Sequence, residues 1–458
     1  MNSKSIDDDL LRLLLLAALA LFFSSFLAVA MAQSVRMAVI SDVHVMAPEL
    51  LEKDGAAFEK YLRNDRKMLT ESVSLAGKLC GRLLAQRPDV VLLTGDLTKD
   101  GEKLSHQKLR EVLLDPLASA GIKVLVIPGN HDVRNPHAVR FVGDTTFRVP
   151  TLSRDEFAEF YSGFGYADAL GRDTASLSYV AQLAPGLRIL ALDACRYDDN
   201  DFATDKCYHE GRLKPATWAF ALRQLEQAER DGQKMLCMIH HGMVEHWKYQ
   251  DKMIPGYTVD GWRAYAKELQ RRGVRLVFTG HSHTQDIVSF GGRMEMESLS
   301  VSGDAIECPD ETASALYDVE TGSAVTAPCP YRMVTISDGC ADIRSYSLLD
   351  DDAKLKAHAE AARLTGLRSV VADMLTGQLP EPLLSEVADE LALDMAANYQ
   401  GNERLTEADK ARIGALARKV RKVVSFKMSL IFRKVAEAAL TDDGTDDDHL
   451  SVRIWDKR

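Results

Sequence analysis

The sequence predicts an α/β fold followed by an all-helical C-terminal segment, on three observations. Between residues 35 and about 347, short apolar runs alternate with helical patterns, the rhythm of sandwiched α/β architectures. Two of the intervening helices carry clear start and stop residues. After Ser347 the strand-like runs cease and helical periodicity takes over.

The strand candidates are 36–40, 89–94, 122–128, 234–239 and 274–279, each 5–7 residues of mostly apolar sequence. The helix at 215–231 has Pro215 near its start, where a missing N–H costs nothing. Trp218, Leu222 and Leu225 recur at helical spacing, and Gly232 can take a left-handed cap. The helix at 260–272 repeats this design with Trp262, Tyr265 and Leu269 on one face and Gly273 beyond its end. Each precedes a strand, which gives a βαβ succession. Beyond Ser347, helices are expected at 352–364, 383–399 and 406–440, with breaks at Gln378 to Pro382 and at Gln400 to Asn402. The tail from Thr441 to Asp448 is acidic and is expected to be mobile. The aromatic-rich stretch 141–173 reads as an irregular insertion that either shapes a pocket or packs into the core.

At 458 residues the chain exceeds one ordinary core, and 46% apolar with 27% charged residues is a globular composition. The expected organisation is an N-terminal leader or anchor over 1–32, a catalytic unit over 33–347 and a helical domain with acidic tail over 348–458. A net charge of −11 argues against a nucleic-acid polymer as partner, because such binding needs Lys and Arg to neutralise phosphates. Bound metal ions would supply the positive charge a small anionic substrate requires. From Leu13 to Ala32 the chain has no charge, follows Lys4 and Arg12, and ends in two A-x-A sequences. That pattern is a signal peptide or, at this length, a membrane anchor. Either way the rest of the chain is expected outside the cytoplasm: periplasmic, secreted or membrane-anchored. Among seven cysteines, Cys195 with Cys207 and Cys308 with Cys329 are near enough in sequence to close short loops, though spacing does not fix pairing.

The chemistry lies where the strand candidates end. Asp42-Val43-His44, Gly95-Asp96, Gly129-Asn130-His131-Asp132, His240-His241 and Gly280-His281-Ser282-His283 each follow one directly. The carboxyl ends of strands line the ligand crevice of open α/β sheets, so these groups can converge. Carboxylates, an amide oxygen and imidazoles without thiolate select hard or borderline ions such as Fe, Mn or Zn. Two such ions can generate hydroxide at neutral pH and neutralise phosphoryl oxygens. Any one of these motifs is more often a turn or cap; five at strand ends are a pattern.

The order and spacing of these motifs resemble the calcineurin-like metallophosphoesterase superfamily, and more its bacterial cyclic-nucleotide phosphodiesterase branch. The resemblance spans roughly 37–347. It implies a four-layer α/β/β/α sandwich of two mixed sheets flanked by helices. It implies that Asp42, His44, Asp96 and His283 hold one divalent or trivalent metal ion, and Asp96, Asn130, His240 and His281 a second. It places His131 in the cleft as a phosphate contact or proton donor, oriented by a carboxylate for which Asp100 and Asp132 are the candidates. Asp100 stands four residues after Asp96, and no Arg-Gly follows it, which argues against a protein phosphatase. Gly242 stands where many relatives have proline after the histidine pair, leaving His241 ambiguous.

The activity so implied is hydrolysis of phosphodiester, or phosphomonoester, bonds in a small molecule by a metal-bridging hydroxide. The alternatives are a metal-binding scaffold without turnover, and a protein whose C-terminal helices dock on a membrane or partner. The basic run Arg418, Lys419, Arg421, Lys422, Lys427, Arg433 and Lys434 suits peripheral membrane contact, but also an ordinary solvated face. His209 and His246, outside the motifs, are expected to be exposed or hydrogen-bonded rather than part of the site.

Overall fold

The structure, a computed structural model, describes residues 34–63, 65–291, 309, 314–442 and 444–456. The leader or anchor expected at 1–32 lies outside the described residues. Sixteen strands are present among those described: β1 (Val35–Ile40), β2 (Leu51–Lys53), β3 (Val90–Leu93), β4 (Lys123–Val126), β5 (Val139–Val142), β6 (Thr145–Arg148), β7 (Gly171–Arg172), β8 (Tyr179–Ala184), β9 (Leu187–Leu192), β10 (Lys234–Ile239), β11 (Leu276–Thr279), β12 (Asp286–Phe290), β13 (Leu316–Glu320), β14 (Pro330–Ser337), β15 (Cys340–Ser347) and β16 (His449–Arg453).

They form two large mixed sheets and one small one. The first sheet has the order β16-β15-β14-β1-β3-β4, parallel from β1 to β4 and antiparallel on the other side. The second has the order β12-β13-β11-β10-β9-β8-β7, parallel from β13 to β9. Strands β2, β5 and β6 make the small sheet.

Side-chain alternation along the strands explains the layering. In β10, Leu236 and Met238 face the core shared with the first sheet, whereas Cys237 and Ile239 face outward. The outward set packs against Phe220, Ala221 and Leu225 of helix Pro215–Arg230, and against Trp262 and Leu269 of helix Trp262–Arg271. Val90 to Leu93 of β3 are buried throughout, and helix Ser72–Gln86 covers that sheet with Leu75, Leu79 and Leu83. The chain is therefore a sandwich of two mixed sheets with helices outside, as the family resemblance implies.

The stretch 141–173 is regular rather than a structureless insertion. Its helix, Arg154–Phe160, starts at a capping box between Ser153 and Glu156, and Phe157, Tyr161, Phe164 and Tyr166 are buried in the central core. Core packing, not pocket lining, is the role of these aromatics.

Four helices follow β15: Ala353–Leu375, Leu383–Asn398, Glu407–Val423 and Phe426–Ala439. The last two were expected as one; Ser425 divides them by accepting a hydrogen bond from Met428 N as an N-cap. They enclose an apolar cluster of their own around Val387, Ile413, Val420 and Phe432. The expectation of an all-helical segment ending in a mobile tail is corrected at the chain's end. Residues His449–Arg453 add β16 to the first sheet, and Asp447 is buried, accepting from Ile287 N and Asn402 N. Among the described residues Cys195, Cys207 and Cys329 are free, so neither suggested pairing is made; Cys308 lies outside the described residues, and Cys340, which sequence left unassigned, is disulfide-bonded. No helix among the described residues is long and apolar enough to cross a membrane.

Candidate metal centre

Pairing between strands continues past their ends and draws the ligand loops together. Asp42 N donates to Gly95 O (3.1 Å) and His44 N to Asp96 O (3.0 Å), so the loops after β1 and β3 run side by side. Gly280 N donates to His240 O (3.0 Å) and aligns the loops after β10 and β11. Asp42, His44, Asp96, His281 and His283 all have positive φ, which non-glycine residues rarely adopt. Strain of this kind persists only where the surroundings impose it, and here it falls on five of the seven predicted ligands. Gly280 is required by close approach, since a Cβ there would lie 1.8 Å from Ser41 Oγ.

The result is two buried donor clusters that share a carboxylate. Asp42, His44, Asp96 and His283 each present one donor atom, mutually within 4.8 Å, and Asp96, His240 and His281 do the same. Asp96 Oδ1 accepts from His131 N (2.9 Å), leaving Oδ2 toward His240 Nε2 (3.3 Å) and His44 Nε2 (3.7 Å). Asn130 Oδ1 lies 3.2 Å from His240 Nε2, beside the second cluster.

The imidazoles are oriented from behind. His240 Nδ1 donates to Thr94 O (2.9 Å) and His44 Nδ1 to Thr98 O (3.3 Å); a carbonyl only accepts, so Nε2 of each ring is left with its lone pair inward. His283 Nδ1 meets Thr326 Oγ1 at 3.3 Å. Asp42 Oδ2 is held by Ser41 Oγ and His281 N.

These donors fit metal ions. Buried and without a hydrogen-bond partner are Asp42 Oδ1 and His281 Nε2, the atoms the clusters turn inward. His44 Nε2 and His283 Nε2 stand 3.2 Å apart, and His283 Nε2 is 3.2 Å from Asp42 Oδ1. Burial holds His44, His281 and His283 well below the usual imidazole range, in the neutral form a ligand needs. Burial opposes charge on His240 too, but Asp96 beside it raises the ring to about 9; a metal ion can occupy the place of that proton.

His131 stands apart as the most open group, its side chain 26% exposed. Its Nδ1 meets Asp100 Oδ1 at 2.8 Å, and its Nε2 lies 3.8 Å from Asp96 Oδ2. Asp100 is in turn held by Lys99 Nζ and Tyr61 OH. Burial works against its ionisation, but Lys99 and the bond to His131 overcome this and keep the carboxyl well below its ordinary value. Of the two candidates for orienting His131, the structure places Asp100 against the ring.

Asp132 does different work. Its carboxylate accepts from Leu97 N, Thr98 N, Thr98 Oγ1 and Gly129 N, at 2.8 to 3.0 Å, tying the loop after β4 to the loop after β3. Its carbonyl meets His106 Nε2 (3.0 Å), whose other nitrogen meets Tyr161 OH (2.7 Å). The aromatic stretch thus braces the site from behind. His241 Nε2 meets His209 O (2.8 Å) and belongs to neither cluster. His246 lies buried among Asp286, Asp318 and Glu320. Sequence reasoning missed Lys99 and Tyr61; the adjacency of Lys99 to Asp100 was the only local signal for the first, and Tyr61, 39 positions from Asp100, had none.

A fold of two mixed sheets with paired carboxylate and histidine clusters at converging strand ends is that of a two-metal phosphoesterase. The chain belongs to the calcineurin-like phosphoesterase family, whose model matches residues 35–285. It is similar to a probable cyclic nucleotide phosphodiesterase of Vesicomyosocius okutanii, 41% identical over 64 residues, or 14% of this chain and 26% of that protein. It is also similar to a cAMP/cGMP dual specificity phosphodiesterase of Mycobacterium tuberculosis, 23% identical over 218 residues, 46% of this chain and 56% of that one. The chain thus spans between a quarter and just over half the length of these relatives. Among solved structures, a dimetal phosphatase from Danio rerio aligns with 69% of this chain and 96% of its own, at 14% identity and a TM-score of 0.45.

Proposed function

We propose that this protein hydrolyses phosphodiester bonds in small molecules, with two metal ions held by Asp42, His44, Asp96 and His283 and by Asp96, Asn130, His240 and His281. The observation that carries this is the pair of buried donor clusters meeting at Asp96, with His131 held over them by Asp100. Metal ions held there would supply an activated water as nucleophile and positive charge for the phosphoryl oxygens.

The chain's own groups supply the rest. Asp96 Oδ2 faces both clusters and fixes their separation. Asp100 holds His131 at Nδ1, so that Nε2 is the atom that contacts a phosphoryl oxygen or hands a proton to the departing alkoxide. Asn130 adds an oxygen donor without adding negative charge that would repel the substrate. The names of the cyclic nucleotide phosphodiesterases it resembles support a diester substrate. We further propose that the enzyme works outside the cytoplasm. The uncharged run from Leu13 to Ala32 supports this, as does a disulfide at Cys340, because such bonds persist in oxidising compartments.

The test is metal analysis of the purified protein together with assays on an aryl phosphodiester and an aryl phosphomonoester. About two metals per chain are expected, with faster turnover of the diester. Asp96→Asn should lose most activity. Full activity in that variant, or in metal-free protein, would overturn the mechanism.

A further inference from the structure

The carboxylates of Asp42 and Asp96 offset part of the positive charge that two metal ions would bring, and cationic side chains beside the clusters would add to it. Two stand on one loop, Arg66 and Lys67, between helices Ala56–Arg63 and Ser72–Gln86. The loop is fixed to the floor of the site: Met68 N donates to Val325 O (2.8 Å), and Met46 N, two residues past His44, donates to Ser72 Oγ (3.0 Å). Val325 adjoins Thr326, whose hydroxyl meets His283 Nδ1 at 3.3 Å, so both anchors of the loop lie beside ligands of the first cluster. Lys67 Nζ has a neighbour in Asp65 Oδ2 at 3.3 Å. Arg66 does not have its full set of partners, for its Nε is buried with no hydrogen-bond acceptor. A buried guanidinium N–H without an acceptor is costly, so the protein's own acceptors do not saturate this cation.

The C-terminal helices hold this loop in place. A Cβ at Gly366 would lie 2.5 Å from Asp65 O and 2.7 Å from Arg66 N, so helix Ala353–Leu375 presses its backbone onto the loop at a position only glycine allows. The Arg66 guanidinium carbon lies 5.8 Å from the ring centre of Tyr399, a buried residue that follows helix Leu383–Asn398.

We propose that Arg66 and Lys67 are the anion-binding residues of this site, gripping the phosphoryl oxygens of the substrate, and that Gly366 and Tyr399 position them. The helical segment then completes the substrate pocket. This rests on the phosphoesterase reading above. Arg66 is suited to the task because its planar fork can bind two oxygens at once, and Lys67 adds a compact charge beside it.

The probe is orthophosphate, titrated calorimetrically into the full-length, metal-loaded protein, with kcat and KM measured on an aryl phosphodiester. Arg66→Gln and Lys67→Gln should each weaken phosphate binding and raise KM by about ten- to hundredfold, the range of a charged hydrogen bond. Metal content per chain and melting temperature should stay at wild-type values. Arg66→Lys keeps charge and bulk without the fork and should lose a large part of the affinity; it decides the matter if Arg66→Gln does not fold. Tyr399→Ala should weaken phosphate binding, and Tyr399→Phe should restore it. Phosphate affinity and KM within twofold of wild type in Arg66→Lys and Lys67→Gln would overturn the proposal. Wild-type protein that holds its metals yet neither binds phosphate nor cleaves esters would instead overturn the phosphoesterase reading.

Discussion

Asp100 and Asp132 show how two carboxylates near one histidine come to do unlike work. Asp100 meets His131 through one oxygen and Lys99 and Tyr61 through the other, so its charge is aimed at a ring that faces the cleft. Asp132 spends both oxygens on four donors of the ligand loops. Asp100→Asn should therefore lower kcat by about a hundredfold, the low end of general acid–base effects, while leaving bound metal unchanged; because it takes a counter-charge from the buried Lys99, it should also lower the melting temperature. Asp132→Asn turns an N–H group toward backbone N–H donors. It should destabilise the protein by about 1–3 kcal/mol, and metal content should fall with it. Elemental analysis and kcat of the two variants separate the roles; equal metal loss in both would show that Asp100 holds the ligand loops as well.

At the scale of elements, loop geometry positions the ligands, and glycine makes that geometry possible. A Cβ at Gly129 would lie 2.1 Å from Asp96 Oδ1 and 2.2 Å from Asp96 N, so Gly129→Ala must displace the shared carboxylate. Fewer than one metal per chain, by elemental analysis, is the expected outcome. Gly77, in helix Ser72–Gln86, is the opposite case: a Cβ there would meet nothing within 4 Å, and Gly77→Ala should raise stability by about 0.5–1 kcal/mol. The ligand loops were legible in the sequence because each follows a short apolar run and is marked by glycine, so strand ends and ligands could be read together. The same local logic failed where information is non-local. Tyr61 and Arg66 come from a segment that no strand-like apolar run in the sequence announces, and the place of Arg66 depends on Val325, Gly366 and Tyr399, hundreds of positions away. Strand β16 was missed because five residues at the end of an acidic stretch acquire strand character only by pairing with β15. The aromatics of 141–173 left pocket and core readings equally open; burial behind His106 decides for the core.

For the molecule as a whole, the C-terminal segment is stitched to the catalytic sheets by buried carboxyl groups, and this junction should make stability depend on pH. Glu403 lies in the turn after helix Leu383–Asn398 and is 8% exposed. Burial, with the charges of Asp286 and Asp442 nearby, raises its carboxyl to about 8 from an ordinary 4.5, although Asn398 donates to it and pulls the other way. In the unfolded chain this group gives up its proton near 4.5; in the folded chain it keeps it until about 8. Between those values the unfolded state binds fewer protons, so raising the pH favours unfolding. The stability contribution is complete below the lower value and is lost progressively as pH climbs to the upper one, at no more than about 1.4 kcal/mol per pH unit. Glu403→Gln keeps an oxygen for Asn398 and removes the titration. Denaturant unfolding at a series of pH values from 5 to 8, roughly the interval over which the group titrates, should show a shallower decline in the variant than in the wild type. Parallel declines would mean that Glu403 ionises normally in the folded protein and that the junction is solvated.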